Sequence, residues 1–442
     1  MSKFCILGSG ITGLSVAYYL KKYNPSAEIV ILEEQNTSGG VIKSNTFGDC
    51  IVEWGPRGIR PKGNGQLVLE MVQDLGLWDE LVFADDNAKK RYLYHDNNLQ
   101  ILPHSVFSFL RSPYLSLFVK AFFKDLKAEI VMDDETIAEF VDRHFGEEFR
   151  KLFFDSVVSG IWAGDVSKMS VSATLPLLKK LEARKGSVIK SLFGYKSDDL
   201  DVKEFPKEIT SKALFSFKNG VQTLVNKLKD KLSDSIVYES NITSINFEGS
   251  SLKCLNGQTY NYDTLISTIP AYKLSSFVSE SMATDLNSIN YSPVGILNIQ
   301  FNKSQLNFDG FGFLVPSKEK SVVLGMVANS NTFPVHGSEY FHVNTVMLGG
   351  ARYSYEELKK MDLKKKAKEF LEKVFNTEIK INKQELRLLA KAIPQYEIGH
   401  LDKVQRITDS SPSNLIVLGN YMYGVSIIDI ISKSKKYAQS IQ

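Results

Sequence analysis

The chain has 442 residues, 23% of them charged and 43% hydrophobic, with a formal net charge of +3. Length alone allows roughly two or three domains with substantial cores, and the near balance of charge offers no general attraction to nucleic acid, for which no zinc-finger or basic-arm motif is present either. Three widely spaced cysteines (Cys5, Cys50, Cys254) and six histidines without ligand spacing argue against a disulfide framework or a metal cluster.

The first element is a short apolar run, Phe4–Leu7, which reads as a buried parallel strand with Cys5 as a small core residue. Gly8-Ser9-Gly10-Ile11-Thr12-Gly13 then turns the chain into a helix. In this pattern Gly8 permits the tight turn, Gly10 lets backbone N–H groups approach a pyrophosphate, and Gly13 lets helix and strand pack closely. The helix N-terminus supplies free N–H groups and a favourable dipole for the diphosphate. A second strand, Glu28–Leu32, delivers Glu33 to the place expected of a carboxylate that binds the adenosine ribose. Both FAD and NAD carry an ADP half, so this spacing does not separate them. The continuation does: Gly39-Gly40-Val41-Ile42 after Glu33, then Val52-Glu53-Trp54-Gly55-Pro56, is the habit of proteins that bind FAD in an elongated pose.

With the first strand four residues from Met1, no signal or transit peptide is expected. There is no apolar run of about 18 residues, so no transmembrane helix is predicted, and Ser440-Ile441-Gln442 carries no lipidation signal.

Further along, the nucleotide-binding domain reads as discontinuous. A Lys-Asn-Gly-Val-Gln-x-Leu turn within 215–232 leads into a helix, strands follow at Ser235–Tyr238, Ile242–Phe247 and Thr264–Thr268, and Leu415–Gly419 with a helix from about Val425 returns to the site. Two insertions interrupt it. The one at 96–205 is helix-like and contains Phe107, Phe109, Leu110, Tyr114, Leu117, Phe118, Phe122 and Phe123 interleaved with Arg111, Lys120, Lys124 and Lys127. Two structures fit that pattern: a helical pair buried in its own subdomain, which pattern alone favours, or an interfacial surface with basic residues facing lipid phosphates. The insertion at 275–390 alternates as antiparallel strands do (Gly295–Phe301, Gly310–Val315, Ser321–Met326, Val343–Leu348), as a sheet over the cofactor would.

Several separate segments together carry a resemblance. Gly55-Pro56-Arg57-Gly58-Ile59-Arg60-Pro61, Lys90-Arg91-Tyr92-Leu93-Tyr94, Ser159-Gly160-Ile161-Trp162-Ala163-Gly164-Asp165, Gly310-Phe311-Gly312-Phe313-Leu314-Val315-Pro316, Val346-Met347-Leu348-Gly349-Gly350 and Ile393-Pro394-Gln395-Tyr396 occur in the order of a known family. From end to end the chain resembles the oxygen-dependent, FAD-containing protoporphyrinogen oxidases of the flavin amine oxidase superfamily. The GPRGIRP form is more like the eukaryotic and related bacterial branch than the Gram-positive one.

The resemblance implies an α/β fold: a discontinuous Rossmann-like FAD-binding domain (1–85, 206–274, 391–442), a mixed-sheet substrate domain (86–95, 275–390) and a helical, membrane-associating insertion (96–205). With it, peripheral membrane attachment becomes the favoured reading of the Phe-rich stretch, on the cytoplasmic face of a bacterial inner membrane or, alternatively, on the mitochondrial inner membrane. It implies non-covalent FAD contacted by Gly8 to Gly13, Glu33, Glu34, Val41, Gly55, Pro56, Arg57, Gly58, the backbone of Ile242, and Val425, Ser426 and Ile427. Arg91 matches an arginine that pairs with a substrate propionate, a role suited to a forked, permanently charged group. Gly160, Phe311, Gly312, Leu314 and Met347 match the walls of an apolar cavity for a flat tetrapyrrole.

The implied reaction is six-electron oxidation of a porphyrinogen by O2, yielding peroxide, with hydride passing to flavin N5 and no acid–base residue assigned. Implied partners are the porphyrinogen, O2, a membrane surface, a downstream ferrochelatase and a second copy of the chain. Rival readings are coproporphyrinogen III oxidation, another amine oxidase-type flavoenzyme, a flavin-dependent sugar mutase and a non-catalytic tetrapyrrole carrier. Two places depart from the family: Ser159 stands where some relatives have arginine, and Asn420-Tyr421-Met422-Tyr423 and Ile428 differ from the usual small residues.

Overall fold

The computed structural model describes residues 2–103, 106–195 and 202–441, so His104 and Ser105 of the Phe-rich stretch lie outside the described residues. Its first unit is a five-stranded parallel sheet in the order Leu415–Val417, Thr264–Ser267, Lys3–Leu7, Glu28–Leu32, Ile236–Val237. A parallel sheet is covered on both faces, which is why its strands are nearly continuous apolar runs. Along Lys3–Leu7 the side chains alternate between the two covers. Phe4 and Ile6 join the core under the helices Ile11–Tyr23 and Ile427–Gln439, while Cys5 and Leu7 join Met282, Leu286 and Ile407 on the other face. Cys5, Cys50 and Cys254 are all buried and free.

The second unit is a seven-stranded sheet ordered Ile381–Pro394, Tyr291–Asn302, Phe341–Gly349, Val323–Val327, Gly312–Leu314, Arg91–His95, Asn98–Ile101. It is mixed because Gly312–Leu314 pairs with Arg91–His95 in parallel and every other ladder is antiparallel. Two boundaries differ from those expected. Asn98–Ile101 is a sheet strand, so the helical insertion begins later than residue 96; Asp96 and Asn97, at φ 50° and 61°, form a tight hairpin that brings it back onto Arg91–His95. Ile381–Pro394 is one strand running through the boundary drawn at 390, because it pairs with Tyr291–Asn302 from Ile381 to Pro394, with a register shift near each end.

The helical insertion packs Leu115–Asp125, Ile137–His144, Asp155–Trp162, Pro176–Lys185 and Val188–Leu192 together. A capping box between Thr136 and Glu139 starts Ile137–His144. Inside it, buried His144 is held by Asp125 (Nδ1 to Oδ1, 2.6 Å) and Glu182 (Nε2 to Oε1, 3.3 Å), which ties three helices to one polar centre. The Phe-rich stretch is partly buried and partly exposed. Tyr114 and Leu117 are buried against Leu93 and Leu152, whereas Phe107, Leu110 and Phe123 are 63%, 61% and 57% exposed. Among the described residues, no helix is long and apolar enough to cross a membrane.

Candidate active site

At the C-terminal end of Lys3–Leu7 the fingerprint forms one compact loop. Gly8 adopts φ +95°, and a Cβ on Gly13 would overlap the Gly8 carbonyl oxygen, so the helix can lie this close to the strand only with glycine there. Gly10 is the N-cap of Ile11–Tyr23, without a side-chain cap and without an acidic residue in the first turn. A Cβ on Gly10 would meet nothing within 4 Å, leaving the helix's N–H groups open to an anion. Ile11 and Thr12 are buried at this terminus.

Glu33 is fixed from three directions. Its Oε2 accepts from the backbone N–H and hydroxyl of Ser9 at 2.8 and 2.7 Å, and its Oε1 accepts from Gln35 N at 2.9 Å. Its neighbour Glu34 is exposed and ion-paired with Lys273. The second half of the signature closes over the first: Gly10 bridges Gly39, Gly39 N donates to Ser9 O at 3.0 Å, and Gly40 lies against Gly10 Cα. Val41, 63% exposed, follows, and a Cβ on Gly55 would come within 2.5 Å of its carbonyl oxygen. Gly8 to Gly13, Glu33, Val41 and Gly55 are thus brought together at one end of the parallel sheet. Ile242 begins a strand of a separate three-stranded sheet, two residues beyond Ser240, whose N–H donates to Glu33 O at 2.8 Å.

Pro56 leads to Arg57, whose Nη2 donates to Met347 Sδ at 3.4 Å and whose Nε is buried without a partner. Burial pushes Arg57 down to about 10, an effect that Glu53 partly offsets. Burial likewise pushes Glu53 up to about 7, against hydrogen bonds from Val221 N and Ser44 Oγ at 2.7 Å each and the charge of Arg57. Gly58 packs against Phe333 and Leu214. At the C-terminal end, Ser426 caps the last helix in a reciprocal pair with Asp429, Ile427 is buried, and Val425 packs beside Trp162 and Tyr396.

The expected cavity residues are brought together by the mixed sheet. Leu314, Gly325 and Met347 lie in register across three adjacent strands, and Arg91 and Leu93 pair with Gly312 and Leu314. Gly312 is at φ +146°, and a Cβ there would overlap Met326 O, so its glycine is required by strand pairing. Gly160 belongs to the helix Asp155–Trp162; a Cβ on it would overlap Leu314 Cδ2, so here the glycine lets helix and sheet touch. The Arg91 guanidinium lies 5.1 Å from the centre of the Phe311 ring. Among the described residues it makes no ion pair, and partial burial and then the nearby Arg60 cation lower its pKa.

Three features escaped sequence reading. Trp54, in the stretch before Gly55, is buried beneath Met347 with an unpartnered indole N–H, and Arg387 stacks over its ring at 3.9 Å. Thr268 Oγ1 donates to Leu7 O at 2.7 Å, buttressing the glycine turn. Arg352 Nη2 donates to Ser159 Oγ at 3.1 Å and to Val315 O at 2.6 Å, so Ser159 does make a polar contact, with an arginine from the short turn that follows the strand Phe341–Gly349. No local pattern marks any of them, because each partner comes from a distant part of the chain.

An uncapped helix terminus beside a doubly anchored carboxylate fits a diphosphate and a ribose. The unpartnered Arg57 and Trp54 donors and the apolar Leu314–Met347 strip fit the rest of a flavin dinucleotide and a flat apolar partner. Comparison with known proteins agrees. The family model for flavin-containing amine oxidoreductases matches residues 11–416. The chain is 30% identical to the protoporphyrinogen oxidase of Dictyostelium discoideum, with 100% of this chain and 99% of the relative covered. It is also 30% identical to that of Bos taurus, with 99% and 97% covered. In structure it is similar to a candidate protoporphyrinogen oxidase from Exiguobacterium sp. 255-15 (TM-score 0.84, 20% identity, 100% and 98% covered). A UDP-galactopyranose mutase shares the fold at lower similarity (TM-score 0.75, 15% identity, 100% and 95% covered). The chain belongs to the protoporphyrinogen oxidases, within the flavin-containing amine oxidoreductase family.

Proposed function

We propose that this chain binds FAD non-covalently and oxidises protoporphyrinogen IX to protoporphyrin IX, with O2 as final acceptor and peroxide as co-product. The observation that carries the substrate is the pairing of Gly312–Leu314 with Arg91–His95. It sets a cation that lacks an ion-pair partner among the described residues beside Phe311, at one end of the Leu314–Met347 strip. An aromatic and aliphatic wall with one free guanidinium suits a flat macrocycle bearing carboxylates.

Bound flavin supplies a two-electron acceptor. The chain's own contribution is positioning. Arg91 anchors a propionate, Phe311 and Leu314 pack against the ring, and Gly160 lets the helix Asp155–Trp162 close on the sheet so that the cavity excludes water. Glu33 and the open terminus at Gly10 hold the ribose and diphosphate, while Gly55 to Gly58 and Val425 to Ile427 line the remainder. Ile242 presents its backbone near the adenine end. No side chain is required as a strong base, because a pyrrole N–H adjacent to the oxidised carbon releases its proton once electrons have left.

The same reading includes peripheral attachment to a membrane. Phe107, Leu110, Phe122 and Phe123 are exposed together with Lys120 and Lys124 on one short stretch, and Leu192 and Phe193 are exposed in the same helical unit. Apolar tips with flanking cations fit a lipid interface. Cosedimentation with anionic vesicles that Phe107→Ser/Phe123→Ser does not weaken would overturn this part.

The test of the activity is aerobic turnover of protoporphyrinogen IX and coproporphyrinogen III side by side, following porphyrin fluorescence and peroxide. Faster protoporphyrin formation is the expected result. Preference for coproporphyrinogen would reassign the substrate, and failure of both to bleach the bound flavin anaerobically would end the oxidase reading.

A further inference from the structure

Tyr396 occupies an unusual place between the two halves of the site. It is 2% exposed, and its hydroxyl donates to Asn420 O while accepting from Gly424 N at 2.8 Å. One oxygen therefore joins both ends of the Asn420–Gly424 segment. Gly424, at φ +123°, is the last residue before Val425 and the capped helix at Ser426.

The ring is held as firmly as the hydroxyl. Trp162, from the helix that carries Gly160, meets it edge-on at 5.0 Å, and His400 stacks on its other side at 4.0 Å and 12°. Backbone bonds flank it: Ser170 N donates to Tyr396 O and Gln395 N to Asn290 O, both at 2.8 Å. Gln395 Nε2 donates to Trp162 O at 2.9 Å. The substrate-side helix, the end of the long strand and the 420–427 segment converge on this one phenol.

We propose that Tyr396 is a positioning residue for the cofactor side of the site, its hydroxyl fixing the backbone of 420–427 in a single conformation and linking it to the helix that carries Gly160. This rests on the FAD reading above and goes beyond it, since Tyr396 itself is not placed in contact with cofactor or substrate. Phenylalanine keeps the ring and both stacking partners but leaves Asn420 O and Gly424 N–H, both of half-buried residues, without the hydroxyl that joins them. The segment would then sample more than one arrangement.

Tyr396→Phe, purified as the holoenzyme, is compared with wild type for visible absorption, flavin fluorescence, rate of FAD release and thermal unfolding. Expected are a shifted flavin spectrum and about tenfold faster FAD release, the equivalent of ~1.4 kcal/mol. The KM for protoporphyrinogen IX should stay within about twofold, since the hydroxyl does not line the apolar strip. A variant that loses thermal stability while spectrum and release rate stay at wild-type values would reduce Tyr396 to a structural residue and overturn the proposal.

Amide exchange in the wild-type holoenzyme gives a check that does not depend on the variant folding. The Gly424 N–H should be protected, and exchange at the rate of an open loop would overturn the proposal as well. Wild type that holds FAD but does not oxidise porphyrinogen would remove the substrate reading and leave this inference standing, whereas wild type that binds no flavin would remove both.

Discussion

Ser9 and Glu33 are joined twice, with the Ser9 backbone N–H and hydroxyl both donating to the same carboxylate oxygen at 2.8 and 2.7 Å. The link ties the glycine turn to the end of the neighbouring strand, so the loop and the acid, proposed above to receive a diphosphate and a ribose, are held as one unit. Glu33→Gln keeps an acceptor for Ser9 and loses the charge. Apoprotein stability should change by no more than about 1 kcal/mol, and FAD should bind roughly tenfold more weakly, the range for a lost charge-assisted bond. Flavin fluorescence titration of the apoprotein measures it.

Gly10 and Gly13 should respond to alanine in opposite ways. A Cβ on Gly10 meets no protein atom within 4 Å, whereas one on Gly13 overlaps the Gly8 carbonyl. Gly10→Ala should leave the apoprotein's unfolding midpoint nearly unchanged and impair FAD binding. Gly13→Ala should destabilise the apoprotein itself by about 1–3 kcal/mol, the cost of forcing packed backbone apart. Urea unfolding without cofactor separates the two.

Arg91 stacks on Phe311 and has no ion-pair partner among the described residues, so its removal breaks no buried pair. Arg91→Ala should shift stability by no more than ~0.5–1 kcal/mol. It should raise the KM for a porphyrinogen about tenfold or more with a smaller effect on kcat. Arg91→Lys should recover only part of the loss, because an ammonium lacks the fork. Steady-state kinetics on holoenzyme decides it.

The contact of Gly160 with Leu314 is adjustable, since the obstructing atom is the end of a side chain. Gly160→Ala should cost no more than about 1–3 kcal/mol and raise KM by narrowing the cavity. Adding Leu314→Ala should restore much of the lost binding. A coupling energy near zero in that double-mutant cycle, against the roughly 0.5–3 kcal/mol usual for touching residues, would show that the two do not share the wall.

Glu53 gives a pH signature. Burial raises it from the model-compound value of 4.5 to about 7, so the folded state binds more protons than the unfolded state between those values. Its contribution to stability therefore falls as pH rises from about 4.5 to 7 and is flat above, by an amount on the order of 3 kcal/mol. His400, which burial and then Lys403 push down to about 4, works in the opposite sense, favouring the folded state as pH rises toward 6.5. Wild type minus Glu53→Gln, from unfolding at a series of pH values, should isolate the falling limb.

The nucleotide fingerprint was legible because it is local. Strand, turn, helix and acid follow one another within residues 3–33, and short continuous apolar runs with glycines at fixed offsets reflect backbone sterics that need no distant partner. The alternation at 295–348 foretold strands for the same reason. The sequence alone left undecided which strands would be neighbours. The parallel pairing that sets Arg91 beside Phe311 and the 14-residue strand ending at Pro394 depend on chain segments far apart in sequence. The Phe-rich stretch is the clearest case: its composition allows core or surface, and only packing against Leu93 and Leu152 decides that Tyr114 goes in while Phe107 and Phe123 stay out. Glu53, Tyr396 and Arg352 are ordinary residues in sequence. They matter through burial and through partners supplied by other segments, both of which exist only once the chain has folded.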